Sequence, residues 1–262
     1  MPSPAVTYHH QGAIGLLTLN RPNNRNSMTP ELLDAFATAS AEARADTRAR
    51  CVVVTGTGSC FSSGADFKAV IQRADLGASE PHERSYAMYA PFLSLLDLEV
   101  PIVGALNGHA VGGGFGLALL CDLRVGNRDA KYGANFAKLG LAPGMAISYM
   151  LPRIVGLSHA NEMLLTGRLV EGDEAVRIGL LDRAVAAEEV LPNALALAQT
   201  IAANAPFAVR ATKAAIRRGL GLEIREAARA ESVVQAQSIA MDDAREGIAA
   251  LLDKREPTFT GK

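Results

Sequence analysis

Continuous apolar runs mark the strands predicted in the first half of the chain. Residues 13–19, 51–55 and 101–106 are apolar over most of their length, and the second run is β-branched, as in a strand buried on both faces. Thr29-Pro30 is typical of a helix start, and the apolar residues after it recur at helical spacing. Strands that alternate with helices indicate an α/β fold.

Glycine, proline and charged residues mark the connections. Residues 56–64 and 73–85 predict loops, and residues 107–114 turn the chain into a buried helix over 115–120. A further helix is predicted over 86–96. Two of the glycine-rich connections therefore stand where a strand gives way to a helix.

Strand signals stop beyond residue 188. Helices are predicted over 188–203, 207–218 and 222–252, the last as one long helix. Asn204-Ala205-Pro206 is interpreted as a hinge, because a residue before proline resists the helical conformation. We expect an α/β core over residues 1–203 and a helical region over 204–262.

The composition excludes several classes of protein. The chain has 26 Lys and Arg against 27 Asp and Glu, and a net charge of −1 without a basic run cannot provide the phosphate-neutralising surface of a nucleic-acid-binding protein. No apolar stretch approaches the ~20 residues of a membrane span, and the N-terminus lacks the apolar core of a signal peptide. We predict a globular protein with neither a nucleic-acid nor a membrane partner.

The number and spacing of the cysteines indicate the cellular compartment of the protein. The chain has three: Cys51, Cys60 and Cys121. An odd number without C-x-x-C spacing argues against a disulfide framework and against a zinc site. Cys51 and Cys121 stand at the ends of apolar runs and are interpreted as small buried hydrophobic residues. We therefore predict a cytoplasmic protein without a metal site.

Two familiar motifs are incomplete. Gly56-Thr57-Gly58 follows a strand, but the dinucleotide-binding motif G-x-G-x-x-G would need glycine at Phe61. Gly156-Leu157-Ser158-His159-Ala160 ends in alanine where the hydrolase nucleophile motif has glycine, and Ser158 is interpreted as a helix N-cap. No cofactor is predicted.

Two glycine-rich turns, over residues 61–68 and 107–116, carry the candidate chemistry. The first N–H groups of a helix are unpaired and lie at its positive end, and the glycines at 112–114 leave the backbone open to close approach. Two such N–H groups aimed at one carbonyl oxygen would form an oxyanion hole, worth about 2.7–4 kcal/mol per donor in measured cases. Either segment alone also fits a tight turn with close helix packing.

Taken together, the two turns resemble those of the crotonase (enoyl-CoA hydratase/isomerase) superfamily, and the similarity covers almost the whole chain. It includes Leu19-Asn20-Arg21-Pro22 with Arg25-Asn26, and continues through residues 61–68, 105–122, 164–167, 175–179 and 254–259. The resemblance implies a spiral of ββα units and a C-terminal helical region that assembles the chain into a homotrimer or a dimer of trimers. It also implies an enzyme that acts on acyl-CoA thioesters.

The resemblance assigns roles to the residues that match its motifs. The N–H groups of Ala65 and Gly113 would hold the thioester oxygen and stabilise an enolate. Ala65-Asp66-Phe67-Lys68 would run beside the CoA moiety, and Phe259 would approach the adenine of a neighbouring subunit. From the residues alone, Asp66 also fits a helix-capping carboxylate and Lys68 a solvated surface charge.

The sequence departs from the family at its acid–base groups. Hydration of a 2-enoyl thioester needs one group to activate water and one to protonate the α-carbon. The resemblance implies a glutamate for each role, but the corresponding positions hold Gly116 and Phe136. Phe136 in place of a carboxylate indicates an apolar acyl pocket.

Other side chains are candidates for these proton transfers. Imidazole titrates near neutrality, but a packed or hydrogen-bonded role is the preferred interpretation of His109. Asn135 and Tyr132 are close in sequence to a lost glutamate, and they would position water or substrate. Three acidic residues lie in the predicted loop over 73–85 and fit solvated charges: Asp75, Glu80 and Glu83.

Three functions follow from this pattern. The preferred one is an acyl-CoA enzyme of the hydratase or isomerase type, because the oxyanion turns are kept. The second is another crotonase-type reaction, such as decarboxylation or thioester hydrolysis, in which an enolate hole suffices or a different group serves. The third is an acyl-CoA binding protein without catalysis, motivated by Gly116 and Phe136.

Overall fold

Two sheets organise the protein in the computed structural model, which describes residues 3–66 and 80–262. The larger sheet contains, in spatial order, β1 (Val6–Gln11), β2 (Ile14–Leu19), β3 (Cys51–Gly56), β5 (Ile102–Leu106), β7 (Leu123–Asn127) and β10 (Arg183–Val185). The smaller contains β4 (Cys60–Ser62), β6 (His109–Val111), β8 (Lys131–Gly133) and β9 (Val170–Glu171). Only the pairs β1–β2 and β8–β9 are antiparallel among the described strands.

Nine α-helices lie within the described residues. They are α1 (Pro30–Ala45), α2 (Pro81–Leu93), α3 (Gly113–Leu120), α4 (Ile147–Thr166), α5 (Gly172–Arg177), α6 (Val190–Ala202), α7 (Pro206–Ile216), α8 (Leu220–Ala240) and α9 (Asp242–Asp253). The Thr29 hydroxyl accepts a hydrogen bond from the Leu32 N–H at 3.2 Å, so α1 begins where the sequence predicts. No helix in the described part of the chain is long and apolar enough to cross a membrane.

The strands alternate between the two sheets along the chain. β3 leads to β4, β5 to β6 and β7 to β8, each step from the larger sheet to the smaller, and β6 runs directly into α3. This spiral of ββα units, followed by the helices α6 to α9, confirms the predicted fold class.

The central strand β3 is buried on both faces, as its apolar run predicts. Val52 and Val54 belong to the main core, whereas Cys51 and Val53 pack in a second core against α6. All three cysteines are free and buried, which agrees with their interpretation as small hydrophobic residues. Burial raises the pKa of the Cys51 and Cys121 thiols to about 12.

Several predicted element boundaries are wrong. The loops predicted over 56–64 and 107–114 contain β4 and β6, because a strand of three residues has no recognisable period. Pro81–Leu93 is helical, so residues 81–85 are not the predicted loop. The helix predicted over 222–252 is divided at Met241, whose backbone is extended (φ −77°, ψ 155°).

The interpretation of Ser158 as a helix N-cap is wrong. Ser158 lies inside α4 without a capping hydrogen bond, and the irregular residue there is Gly156, which has φ 77° and ψ 159°. The chain kinks at Gly156, because this conformation is open to glycine and interrupts the helix.

Candidate active site

A buried asparagine holds the turn before β4 and the start of that strand. Asn26 has a left-handed backbone (φ 51°), and its side-chain amide donates to the carbonyl oxygens of Thr57 and Cys60 at 3.0 and 2.9 Å. The Met28 N–H donates to the Gly64 carbonyl at 2.8 Å and holds the segment after β4. The segment that contains Ala65 is therefore clamped to residues 26–28.

The two glycine-rich turns interlock. A Cβ on Gly64 would lie 2.9 Å from the backbone nitrogen of Gly113, and a Cβ on Gly114 would lie 2.4 Å from the carbonyl oxygen of Ser62. Neither position has room for a side chain, so glycine permits the approach of the two backbones. Gly113 is the first residue of α3, and its N–H has no acceptor within the helix.

An apolar cavity of about 670 Å³ opens beside Ala65. This size is typical of small-molecule sites. Residues of the first turn, of α2, of the segment 136–141 and of α8 and α9 form its walls. The apolar lining includes Met28, Leu33, Met88, Tyr89, Phe136, Leu141, Ile239 and Ile248, and charged side chains line it at Asp34, Asp66 and Arg84.

Phe136 forms one wall of this cavity. It is 6% exposed and starts the 3₁₀ turn Phe136–Leu139. Its Cε1 lies 3.8 Å from the place where a Cβ on Gly112 would be, so the ring packs against the second glycine turn. A position that the resemblance assigns to a carboxylate is thus occupied by an aromatic ring.

The space beside Gly116 is also filled. A Cβ on this glycine would lie 2.2 Å from Cγ and 2.8 Å from Cβ of Met145, and 3.4 Å from Cδ1 of Ile147. Met145 and Ala146 are fully buried and have left-handed backbones, with φ 66° and 57°. Two consecutive non-glycine residues in this conformation are strained, and such strain persists only where the surroundings hold it in place. Met145 therefore occupies the place where a side chain at position 116 would begin.

A buried hydrogen-bonded pair also lines the cavity. The Tyr89 hydroxyl of α2 donates to Oε1 of Gln235 of α8 at 2.7 Å, and Gln235 Nε2 donates to the Ala142 carbonyl at 3.2 Å. Both side chains are 2% exposed. Burial raises the pKa of the Tyr89 hydroxyl, so it stays protonated at neutral pH.

Glu231 lies one helical turn before Gln235. Its Oε1 accepts hydrogen bonds from the backbone N–H of Ser148 at 2.9 Å and from the Ser148 hydroxyl at 2.5 Å. Burial raises the pKa of this carboxyl. The contact ties α8 to the first turn of α4, directly after the strained pair Met145-Ala146.

Other residues that the sequence singles out lie away from this cavity. His109 is exposed on β6, where its Nδ1 accepts a hydrogen bond from the Lys131 N–H at 2.9 Å, which agrees with the preferred hydrogen-bonded role. The Tyr132 hydroxyl donates to the Asn127 carbonyl at 2.7 Å, and Asn135 lines a different, charged cavity. Among the described residues, no cluster of three or more His, Cys, Asp or Glu side chains could hold a metal ion.

The remaining candidates lie at the surface or outside the described residues. Glu80 and Glu83 are exposed at the start of α2 and do not line the cavity. Phe259 is 42% exposed in the C-terminal tail, which is fixed to α9 through Asp243 and Glu246. Phe67, Lys68 and Asp75 lie outside the described residues.

Sequence reasoning missed Tyr89, Met145 and Gln235. The polar residues Glu231, Gln235 and Ser238 follow one another at helical spacing in a segment rich in alanine, and this spacing was the available signal. For Met145 no comparable signal exists, because its left-handed backbone is set by tertiary contacts.

Comparisons with known proteins agree with this architecture. The family model described as enoyl-CoA hydratase/isomerase matches residues 9–262. A crotonyl-CoA hydratase of Syntrophomonas wolfei is 34% identical over 95% of this chain and 95% of its own length. The mouse mitochondrial enoyl-CoA hydratase domain-containing protein 2 is 36% identical over 98% of this chain and 88% of its own.

Solved structures extend the similarity to the fold. The crystal structure of an enoyl-CoA hydratase/isomerase from Pseudoalteromonas atlantica superimposes with a TM-score of 0.87, at 30% identity, over 98% of this chain and 100% of that one. The chain belongs to the enoyl-CoA hydratase/isomerase family.

Proposed function

We propose that this chain binds acyl-CoA thioesters and stabilises a thioester enolate with the N–H groups of Ala65 and Gly113. The observation that carries the proposal is the interlocking of the two glycine turns beside an apolar cavity. Donors held by the backbone are already oriented and need no reorganisation during the reaction. The acyl chain would enter the cavity, where burial contributes about 0.8 kcal/mol per CH₂.

The other site residues would contact the rest of the substrate. Phe136 would contact the acyl group, and Asp66-Phe67-Lys68 would run beside the CoA moiety. The exposed Phe259 would reach the adenine bound by a neighbouring subunit of a homotrimer or a dimer of trimers. The buried, unpaired cysteines fit a cytoplasmic enzyme.

The reaction is that of a lyase or isomerase acting on an enoyl thioester, with proton transfer supplied by groups other than the usual glutamates. Neither Gly116 nor Phe136 can exchange a proton, and Met145 fills the space beside Gly116. This filled space favours a second candidate, decarboxylation of a malonyl-type thioester. There the C–C bond breaks, CO₂ leaves, and the electron pair forms the enolate that the two N–H groups stabilise.

A panel of thioesters separates the candidates. We expect crotonyl-CoA or a longer enoyl-CoA to be converted, as measured by chromatography and mass spectrometry. Release of CO₂ from a malonyl-type thioester would support the second candidate instead, and release of free CoA would indicate thioester hydrolysis. Calorimetric binding without any product would leave a binding protein, and absence of binding to every thioester would refute the proposal.

A pair of substitutions at Gly113 tests the oxyanion role. Alanine and proline both add a Cβ, 2.3 Å from the flexible end of Met28, but only proline removes the N–H. Proline is tolerated at the first position of a helix. We expect Gly113→Pro to lower the turnover rate by about 10²–10³-fold relative to Gly113→Ala. Equal rates in the two variants, both shown to be folded by circular dichroism, would contradict the role.

A further inference from the structure

We propose that Tyr89, held in place by Gln235, is a specificity-determining residue that accepts a hydrogen bond from a hydroxyl group on the acyl chain. The inference rests on the proposed function, because it assumes that the cavity takes the acyl part of a thioester. It concerns a hydrogen-bonded pair that joins α2 to α8 in the lining of the cavity.

The orientation of the pair follows from its surroundings. The Ala142 carbonyl can only accept, so the amide nitrogen of Gln235 must face it, and Oε1 must face Tyr89. Oε1 is an acceptor, so the hydroxyl proton of Tyr89 is committed to Gln235. Among the described residues, none donates a hydrogen bond to the Tyr89 oxygen, so its lone pairs can accept one from a ligand.

The Tyr89 hydroxyl stays protonated, and no neighbouring side chain in the described part of the chain occupies the space of its bond to Gln235. Burial keeps the phenol protonated at neutral pH, so the oxygen acts as a neutral acceptor. A Cβ on Gly144 would lie 2.5 Å from the Tyr89 oxygen and 2.6 Å from Gln235 Nε2. Glycine at this position leaves the pair room to form.

The same tyrosine lies beside the oxyanion turn. Cε1 of Tyr89 is 3.6 Å from the place where a Cβ on Gly113 would be. A thioester whose oxygen meets the Gly113 N–H would therefore place the first carbons of its acyl chain near this ring. The hydroxyl that Tyr89 recognises is accordingly expected close to the thioester, at C3.

A purely structural role predicts a different set of effects. If the pair only joined α2 to α8, removal of the Tyr89 oxygen would change the affinity of every thioester equally or not at all. A recognition role changes the affinity only of ligands that carry a donor near the thioester. The comparison of matched ligands thus distinguishes the two roles.

The experiment is calorimetric titration of the full chain with hexanoyl-CoA and with both stereoisomers of 3-hydroxyhexanoyl-CoA. We expect Tyr89→Phe to weaken one hydroxy isomer by about 3- to 10-fold, the range of a single net hydrogen bond, and to change hexanoyl-CoA by less than twofold. Tyr132→Phe removes another buried hydroxyl, outside the cavity, and should change neither affinity. Thermal unfolding checks that both variants are folded.

Replacement of Gln235 gives a second, independent readout. Gln235→Leu removes the acceptor of the Tyr89 proton, which then becomes available to a ligand carbonyl. We expect the affinity for 3-oxohexanoyl-CoA to rise in this variant relative to that for hexanoyl-CoA.

The outcomes separate this inference from the proposed function. If wild-type protein binds hexanoyl-CoA but Tyr89→Phe weakens no hydroxy isomer selectively, the inference is wrong and the proposed function stands. An unchanged ratio in Gln235→Leu would likewise overturn it. If wild-type protein binds none of the thioesters, the proposed function and the inference fail together.

Discussion

At the scale of single residues, Gly116 and Met145 form a complementary pair. Glycine in the middle of a helix costs about 0.5–1 kcal/mol relative to alanine, so an unencumbered alanine at 116 would be stabilising. Here the buried side chain of Met145 stands where the Cβ would be. The left-handed backbone of Met145 places its side chain against Gly116, and this position of the side chain requires glycine at 116.

A double-mutant cycle measures this coupling. We expect Gly116→Ala to lower the free energy of unfolding by about 1–3 kcal/mol, since added methyl groups overpack a filled core. In a Met145→Ala background, Gly116→Ala should lower the free energy of unfolding by less, or should raise it. Urea unfolding of the four proteins gives the interaction energy, which we expect to exceed about 0.5 kcal/mol.

Additive effects within a few tenths of a kcal/mol would contradict the pairing. The comparison also bears on attempts to restore a glutamate at position 116. Such a side chain needs a smaller residue at 145 before it can enter the site.

At the scale of elements, α8 presents a polar strip to the segment 142–148. Glu231 bonds to Ser148, Gln235 to the Ala142 carbonyl, and the Ser238 hydroxyl accepts from the Ala142 N–H at 3.0 Å. Buried polar contacts of this kind define a single docking position better than apolar contacts do. The helix thereby holds the strained residues 145 and 146 in place.

The carboxyl of Glu231 makes this docking dependent on pH. Burial raises its pKa above the ordinary 4.5, so the folded protein binds the proton more tightly than the unfolded chain. Its contribution to stability is complete below the unfolded pKa and is lost as the pH rises through the folded pKa. We expect the unfolding free energy of Glu231→Gln, relative to wild type, to rise as the pH increases from the ordinary pKa of a glutamate through the higher pKa of the folded protein. The rise is about 1.4 kcal/mol for each unit of pKa difference.

The exposed Glu226 on the same helix provides the control. Urea unfolding of Glu226→Gln should follow the wild-type pH profile throughout. If the profile of Glu231→Gln paralleled that of wild type, the pKa of this carboxyl would not differ between the folded and unfolded states, which would contradict the expectation.

At the scale of the whole molecule, large apolar side chains are exposed on the C-terminal helices. Phe207 and Ile216 of α7 are each 78% exposed, and Leu222 of α8 is 65% exposed. Exposed apolar groups of this size commonly mark interaction surfaces. They support the proposal that residues 204–262 assemble the chain into a homotrimer or a dimer of trimers. The same region also contributes to the cavity, which is lined by residues both before and after position 203.

Sedimentation equilibrium tests this assembly. We expect wild-type protein to have three or six times the chain mass of 27.5 kDa. The double substitution Phe207→Glu with Ile216→Glu should lower the mass, because burying two carboxylates in an apolar interface is costly. Ala37→Glu, which adds charge to an exposed position of α1, should leave the mass unchanged. A monomeric wild type would rule out the assembly.

The sequence predicts those features that depend on local patterns. The strands β2, β3 and β5 follow from apolar runs, and the start of α1 follows from its capping residues. Asp242-Asp243, whose acidic side chains are favoured at a helix N-terminus, indicates the start of α9, but the strong helical period around it hides the break at Met241. Glycine density identifies the two turns before their contact is known.

Features that depend on distant contacts are not visible in the sequence. Nothing near Met145 predicts a left-handed backbone, since the conformation is imposed by α3 and α8. Tyr89 reads as an ordinary residue of a helix until its partner on α8 is known. The sequence thus indicates the glycine turns and the aromatic wall at Phe136, whereas the part of the wall that contains Tyr89 and Gln235 is visible only in the structure.

The bond between Tyr89 and Gln235 also has a consequence for biosynthesis, because it joins residues 146 positions apart. At about 5–20 residues per second, the ribosome needs about 7–30 s to synthesise the chain between them. Throughout that interval α2 lacks the helix that covers its apolar side. The nascent chain therefore exposes the future binding surface until its last elements emerge, and this surface is where a chaperone would be expected to bind.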